Sequence, residues 1–165
     1  MPLLEIVGIT STKKTFAIAF VFMVKETADH YTWAMKRLRH LCKERMSDVI
    51  ATDREKALIN SIKDVFPESY HLLCMWHVMS AIEVKAKVTH SRSKEREFYK
   101  ACYALFESKS EASYNERLQN MKDTWGDRWG LMHYLDETWL TDYKKSLVRA
   151  WVDYQPHFGT KTTNK

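Results

Sequence analysis

Three side chains able to do chemistry fall in one stretch, DVIATDREKALINSIKDVFPESYHLLCMWH, from Asp48 to His77. Asp53 follows the short apolar run Val49-Ile50-Ala51 and precedes a helical pattern. Ligand and metal sites in α/β sheets gather where strands end and helices begin. A carboxylate there suits Mg²⁺ or Mn²⁺, which take hard oxygen ligands. The structural alternative is a cap, with Asp53 accepting a backbone N–H of a helix that begins near Glu55. Cys74 and His77 form Cys-x-x-His, which can supply two zinc ligands where a structural site needs four. No second paired spacing among the other cysteines and histidines completes such a site. A buried thiol beside a hydrogen-bonded imidazole is the other reading. Nothing in the sequence marks an oxyanion site or an orienting carboxylate for a Cys–His nucleophile.

A second chemistry is electrostatic. Lys13, Lys14, Lys36, Arg37, Arg39, Lys43 and Arg45 make up the densest basic region, in a chain of net charge +5. At helical spacing Lys36, Arg39 and Lys43 share a face. That face, with Lys13 and Lys14, is a candidate phosphate-tracking surface for DNA; a solvated helix face explains the same pattern. No P-loop, dinucleotide fingerprint or nucleophile elbow is present.

The elements that must position these residues follow from periodicity. Leu3 to Thr10 reads as a β-branched strand and Thr15 to Val24 as a second, with a polar turn between them. The second is apolar at nearly every position, which predicts burial on both faces. Thr27 or Asp29 can cap a helix with Tyr31, Ala34, Met35, Leu38, Leu41 and Cys42 on its apolar face. The strand before Asp53 leads to a helix with Leu58, Ile62, Val65 and Phe66 on one side, stopped by Pro67. Tyr70 to Trp76 reads as the next strand. The order β-β-α-β-α-β predicts a mixed sheet with helices packed on it. From residue 78 to 157 the period stays helical, in three stripes: Phe98, Ala101, Cys102, Leu105 and Phe106; Tyr114, Leu118, Met121 and Trp125; Trp139, Tyr143, Leu147 and Trp151. The late tryptophans read as core, with base stacking as the alternative. The tail from Pro156 carries no periodicity and is expected to fray.

With 165 residues, 45% hydrophobic and 13% aromatic, the chain can build one domain with a real core. Four glycines and three prolines argue against a loop-rich β fold. Three scattered cysteines argue against a disulfide framework. Phe16 to Val24, the longest apolar run, is too short to span a membrane, and no secretory signal is expected at the start.

Four segments resemble the transposase domain of Mutator-like elements, the MULE family. They are LLEIVGIT; KTFAIAFVFMVKET followed by YTWAMKRL; VIATDREKALINSIKDVFPES; and YHLLCMWHV. The late HFGTKTTN is similar to the family's approach to its last catalytic motif. The resemblance covers nearly the whole chain, with the TDRE, Phe-Pro and Cys-x-Trp-His blocks in the family's order. It implies an RNase H-like fold, a three-acid (DDE) site holding Mg²⁺ or Mn²⁺, and cleavage and strand transfer on DNA at transposon ends in the nucleus. It implies that Asp53 is the second acid and a metal ligand, and that Cys74 and His77 are the family's C-x-x-H motif.

The resemblance also carries departures. The family's first acid is expected upstream of MPLLEIVGIT and its third just past the TTN-like segment. The expectation is therefore a partial RNase H-like core at 1–77 lacking its first strand, a helical insertion-like region at 78–157, and a frayed tail at 158–165. Asp53 alone cannot bridge a metal pair, so catalysis and tight metal binding are not expected. Two sheet edges should stand unpaired or close on each other, giving a marginally stable chain open to self-association or to a complementing partner chain. The alternative is a domesticated, non-catalytic DNA-binding or transcription-regulatory module. No membrane partner is expected.

Overall fold

The computed structural model describes residues 1–10, 12–43, 47–89, 92–126 and 130–157. Two strands, β1 (Leu3–Ile9) and β2 (Thr15–Phe22), pair antiparallel, with a register shift between Ile6 and Val7. Their turn places Lys13 at φ 62°, the left-handed residue such a short loop requires. Gly8 sits opposite Phe16, and a Cβ there would run into the Phe16 ring. Helix α1 (Ala28–Leu41) follows from an N-cap at Thr27. Strand β3 (Val49–Thr52), helix α2 (Lys56–Val65) and strand β4 (Tyr70–Leu73) form one crossover unit, with β3 and β4 parallel.

The expected single mixed sheet is not what forms. The described residues hold two separate two-stranded sheets, β1–β2 and β3–β4. Neither β1 nor β3 bonds the other, so the alternative of the two edges closing on each other is not realised. The expected double-sided burial of β2 also fails. Phe16, Ile18, Phe20 and Phe22 are exposed, while Val21 and Met23 turn towards α1. A two-stranded hairpin has two faces, and only one is covered.

Helices α1 and α2 pack together over the inner face of the hairpin. Their cluster contains Tyr31, Ala34, Met35, Leu58, Ile62, Val65 and Phe66, with Leu4, Ile6, Val21 and Ile50 against it. Thr32 and Ser61 hydrogen-bond across the helix pair at 3.0 Å. Leu41, expected on the apolar face of α1, is the last residue of the helix and is 69% exposed.

The strand expected to run to Trp76 stops at Leu73. Its partner β3 ends at Thr52, and the Cys74 N–H makes the last bond, to the Thr52 carbonyl at 2.7 Å. With no ladder left, the chain turns into helix α3 (Met75–Thr89). Helices α4 (Arg92–Phe106), α5 (Glu111–Trp125) and α6 (Leu131–Leu135) follow. A π-helical turn (Asp136–Leu140) leads into α7 (Thr141–Leu147) and α8 (Arg149–Val152). The three helical stripes are the core of this half: Phe98, Cys102, Leu105, Phe106, Tyr114, Met121, Trp125, Trp139 and Leu147 are all buried. Ile59 and Leu73 belong to the same cluster, which welds the helices to the β3–β4 unit. Phe98 meets Trp125 edge-on at 5.3 Å, and Tyr114 meets Trp151 at 5.2 Å. Trp125 and Trp139 are thus core residues rather than exposed stacking platforms. Trp129 and the segment 158–165 lie outside the described residues, as does most of HFGTKTTN.

The two apolar surfaces respond differently to truncation. Phe98→Ala removes a fully buried ring and should lower unfolding stability by ~3–5 kcal/mol in urea denaturation. Phe20→Thr, on the open hairpin face, should stay within ~0.5 kcal/mol of the parent. Equal losses would mean that the hairpin face is covered in solution.

Candidate functional site

Asp53 stands exposed where β3 ends, one residue past Thr52. Its Oδ1 accepts the Glu55 backbone N–H at 3.1 Å. The helix cap itself is Glu55, whose Oε1 accepts from the Ala57 N–H at 3.0 Å. Asp53 therefore shapes the turn into α2 without being the N-cap. The carboxylates of Glu26, Glu55 and Asp53 all act on the Tyr31 hydroxyl, which burial foremost, then these charges, pushes up to about 12.

Behind Asp53 the strand end is held by a polar chain. The Thr52 hydroxyl donates to the Asp53 carbonyl at 2.6 Å and lies 2.8 Å from His71 Nε2. A hydroxyl has one proton, so with that proton on the Asp53 carbonyl the imidazole must be the donor, from Nε2. Burial, with Lys63 nearby, lowers the His71 pKa to about 4, so the ring is neutral at pH 7 and suits that role. Sequence reasoning placed His71 on β4 and gave it no role. The signal was the register, which sets Thr52 beside β4 and is decided by pairing alone.

Arg54, also unmarked in the sequence, reaches across to the helical half. Its guanidinium lies 4.8 Å from the Trp139 ring centroid and donates to the Thr138 carbonyl at 3.1 Å. The π-helical turn presents both groups. The Asp53 loop is therefore tethered to the helices.

Cys74 is 1% exposed at the entry to α3, and His77 lies in the first turn of that helix. The Nδ1 of His77 is buried without a hydrogen-bond partner. Asp53 and His77 line the same cavity, of about 450 Å³, bounded by β1, β3, α1, α2 and the segment at Pro156 and His157. Glu5 and Asp48 also line it. Among the described residues no three His, Cys, Asp or Glu side chains converge as a metal group. A two-metal centre needs several carboxylates around cations ~3.5–4 Å apart, and these residues by themselves do not fit one. A separate hollow of about 300 Å³ between α4 and α5 lies away from all of them.

The basic candidates are not gathered at Asp53. Lys13 and Lys14 sit exposed on the hairpin turn; Lys36 is exposed on α1, and Lys43 lies just past its end at φ 53°. Arg39 is half-buried and donates to the Val65 carbonyl at 2.8 Å, closing the end of α2. Arg39 thus has a structural partner that the helical wheel could not show. Arg45 lies outside the described residues.

The strand-end network carries a pH dependence. The folded His71 pKa lies below its unfolded value, so the unfolded chain binds the extra proton between pH ~6.5 and about 4. The contribution is whole above ~6.5, falls as pH drops through that window, and amounts to ~3 kcal/mol at most. Urea midpoints should decline over that range in the parent and decline less in His71→Gln. Parallel curves would show that His71 is not the group. Arg54→Ala should lower stability by ~1–2 kcal/mol, and Arg54→Lys should not fully restore it, because only the planar guanidinium both stacks and donates.

Part of this chain is similar to known proteins. Residues 1–81 match the model of the MULE transposase domain. The chain is 21% identical over 155 residues to Protein FAR-RED IMPAIRED RESPONSE 1 of Arabidopsis thaliana, covering 91% of this chain and 18% of that protein. It is 33% identical over 104 residues to Protein FAR1-RELATED SEQUENCE 6 of the same plant, covering 62% of this chain and 15% of the relative. It is also 33% identical over 90 residues to the PKS-NRPS hybrid synthetase cheA of Chaetomium globosum, covering 53% of this chain and 2% of that protein. The chain thus spans less than a fifth of each of these relatives. Residues 1–81, which hold both sheets, Asp53 and the Cys74–His77 pair, are the part of the chain that matches the MULE transposase domain.

Proposed function

We propose that this chain is part of an RNase H-like core of a Mutator-like transposase domain, in which Asp53 is one acid of a divalent-metal site for DNA cleavage and strand transfer. The observation that carries the reading is the place of Asp53. It is an exposed carboxylate at the carboxyl end of a parallel strand, at the mouth of a cavity, within the matched residues. In a complete centre, with Asp53 as one of several carboxylate ligands, Mg²⁺ or Mn²⁺ would supply Lewis acidity to a phosphodiester. The described residues bring one acid to the strand end, so this chain alone binds DNA without cutting it. Lys36 and Lys43, with Lys13 and Lys14, supply the phosphate contacts, in a nuclear setting.

A second reading is a non-catalytic regulatory module. It is favoured by the name of one relative, which refers to a far-red response rather than to transposition.

A plasmid-nicking assay with Mg²⁺ or Mn²⁺, run beside Asp53→Ala, should show no cleavage by either protein. Cleavage that vanishes in the variant would overturn the proposed inactivity. Duplex DNA binding should weaken with salt, and Lys36→Ala combined with Lys43→Ala should reduce the slope of log K against log salt by ~2. An unchanged slope would remove this face from DNA contact.

A further inference from the structure

We infer that the outward face of α1 is a stacking site for an unpaired base of single-stranded DNA, with Trp33 as the platform and Lys36 and Arg37 as the phosphate contacts beside it. The inference rests on the reading of this chain as DNA-binding and adds to it the form of DNA that α1 takes.

Helix α1 buries one side. Tyr31, Ala34 and Met35 enter the core, and Leu38 packs against it. The other side carries Trp33, Lys36, Arg37 and His40, all exposed. Their spacing is i, i+3, i+4 and i+7, so the four share one patch ~10 Å long on the helix. Exposed Lys43, just past the helix end, extends the charge. The single acid of α1 is Asp29, a turn before Trp33. Among the described residues neither Lys36 nor Arg37 is held in an ion pair.

The indole selects the ligand. Trp33 is 53% exposed, and the Arg37 guanidinium carbon stands 5.8 Å from its ring centroid. This cation–π pair steadies the ring without enclosing it. An open aromatic face beside cations is the composition that holds single strands: bases stack on the ring while phosphates track the charges. A duplex keeps its base faces stacked on one another and offers only edges and phosphates, so the ring gains nothing there. An apolar protein surface would have to desolvate both cations in order to cover the ring. Trp76 is more exposed, at 63%, but Met79 and Ser80 follow it at i+3 and i+4 on α3, so it lacks the cations. Among the described residues Trp33 is the exposed tryptophan with a cation at both positions.

The test measures binding of a labelled oligothymidine of about 12 nucleotides, and of its duplex, to the full chain by fluorescence anisotropy. The parent should bind the single strand with quenching of tryptophan emission. Trp33→Ala should weaken that binding ~10-fold and lose the quenching, while Trp33→Phe, which keeps an aromatic face, should fall between the two. Duplex binding should change less than ~2-fold in either variant, and the single-strand salt slope should be the same in Trp33→Ala as in the parent, because no phosphate contact is lost. Urea midpoints of both variants should match the parent, since the ring is on the surface. Equal single-strand binding by the parent and Trp33→Ala, or binding of duplex alone, would overturn this inference and leave the DNA-binding reading standing. Binding of neither form by the parent would overturn both. Tighter binding of an oligouridine of the same length would assign the patch to RNA and equally defeat it.

Discussion

Four parallel residue pairs between β3 and β4 are the joint on which both halves of the molecule hang. The bond from the Cys74 N–H to the Thr52 carbonyl closes that ladder. On one side of it the chain leaves as the Asp53 turn, and on the other it enters α3. Crossover α2 packs on α1 through one face, and its Ile59 reaches the helical core. Loss of this register would move Asp53, His71, Cys74 and His77 together. A one-residue slip turns every side chain of a strand to the opposite face.

The polar contacts around this joint are few and depend on one another. Neutral His71 supports Thr52, Thr52 supports the Asp53 carbonyl, and Arg54 ties the next residue to the π-helical turn. A π-helical turn widens the helix by one residue, and here that brings the Thr138 carbonyl and the Trp139 ring to the same guanidinium. Most of the binding energy of the two halves is apolar, but these bonds set where the carboxylate stands. Position is what a metal or phosphate site requires, since electrostatic chemistry falls off steeply with misplacement.

Two features stand out as unfinished surfaces. The outer face of β2 shows four large apolar side chains to solvent, and among the described residues β1 and β3 each pair with one strand only. Exposed strand edges and apolar faces are liabilities that proteins manage by covering them. The fully apolar run Phe16 to Val24 has the composition of a strand covered on both sides, and the fold covers one.

Much of the architecture was legible from the residues. Hairpin, α1, the β3–α2–β4 unit and the helical stripes all follow from period-two and period-3.6 patterns, because burial of one face is written into spacing. The MULE resemblance rested on contiguous blocks, which spacing preserves. Asp53 at a strand end was legible for the same reason. The end of β4 at Leu73 was not, because it depends on where β3 runs out. The split of the sheet, the exposure of β2, the diversion of Arg39 to Val65 and the Arg54–Trp139 contact were equally hidden. Each joins residues far apart in the chain or depends on what another element fails to cover. Local periodicity reports which face wants to be buried; only tertiary packing decides whether anything arrives to bury it.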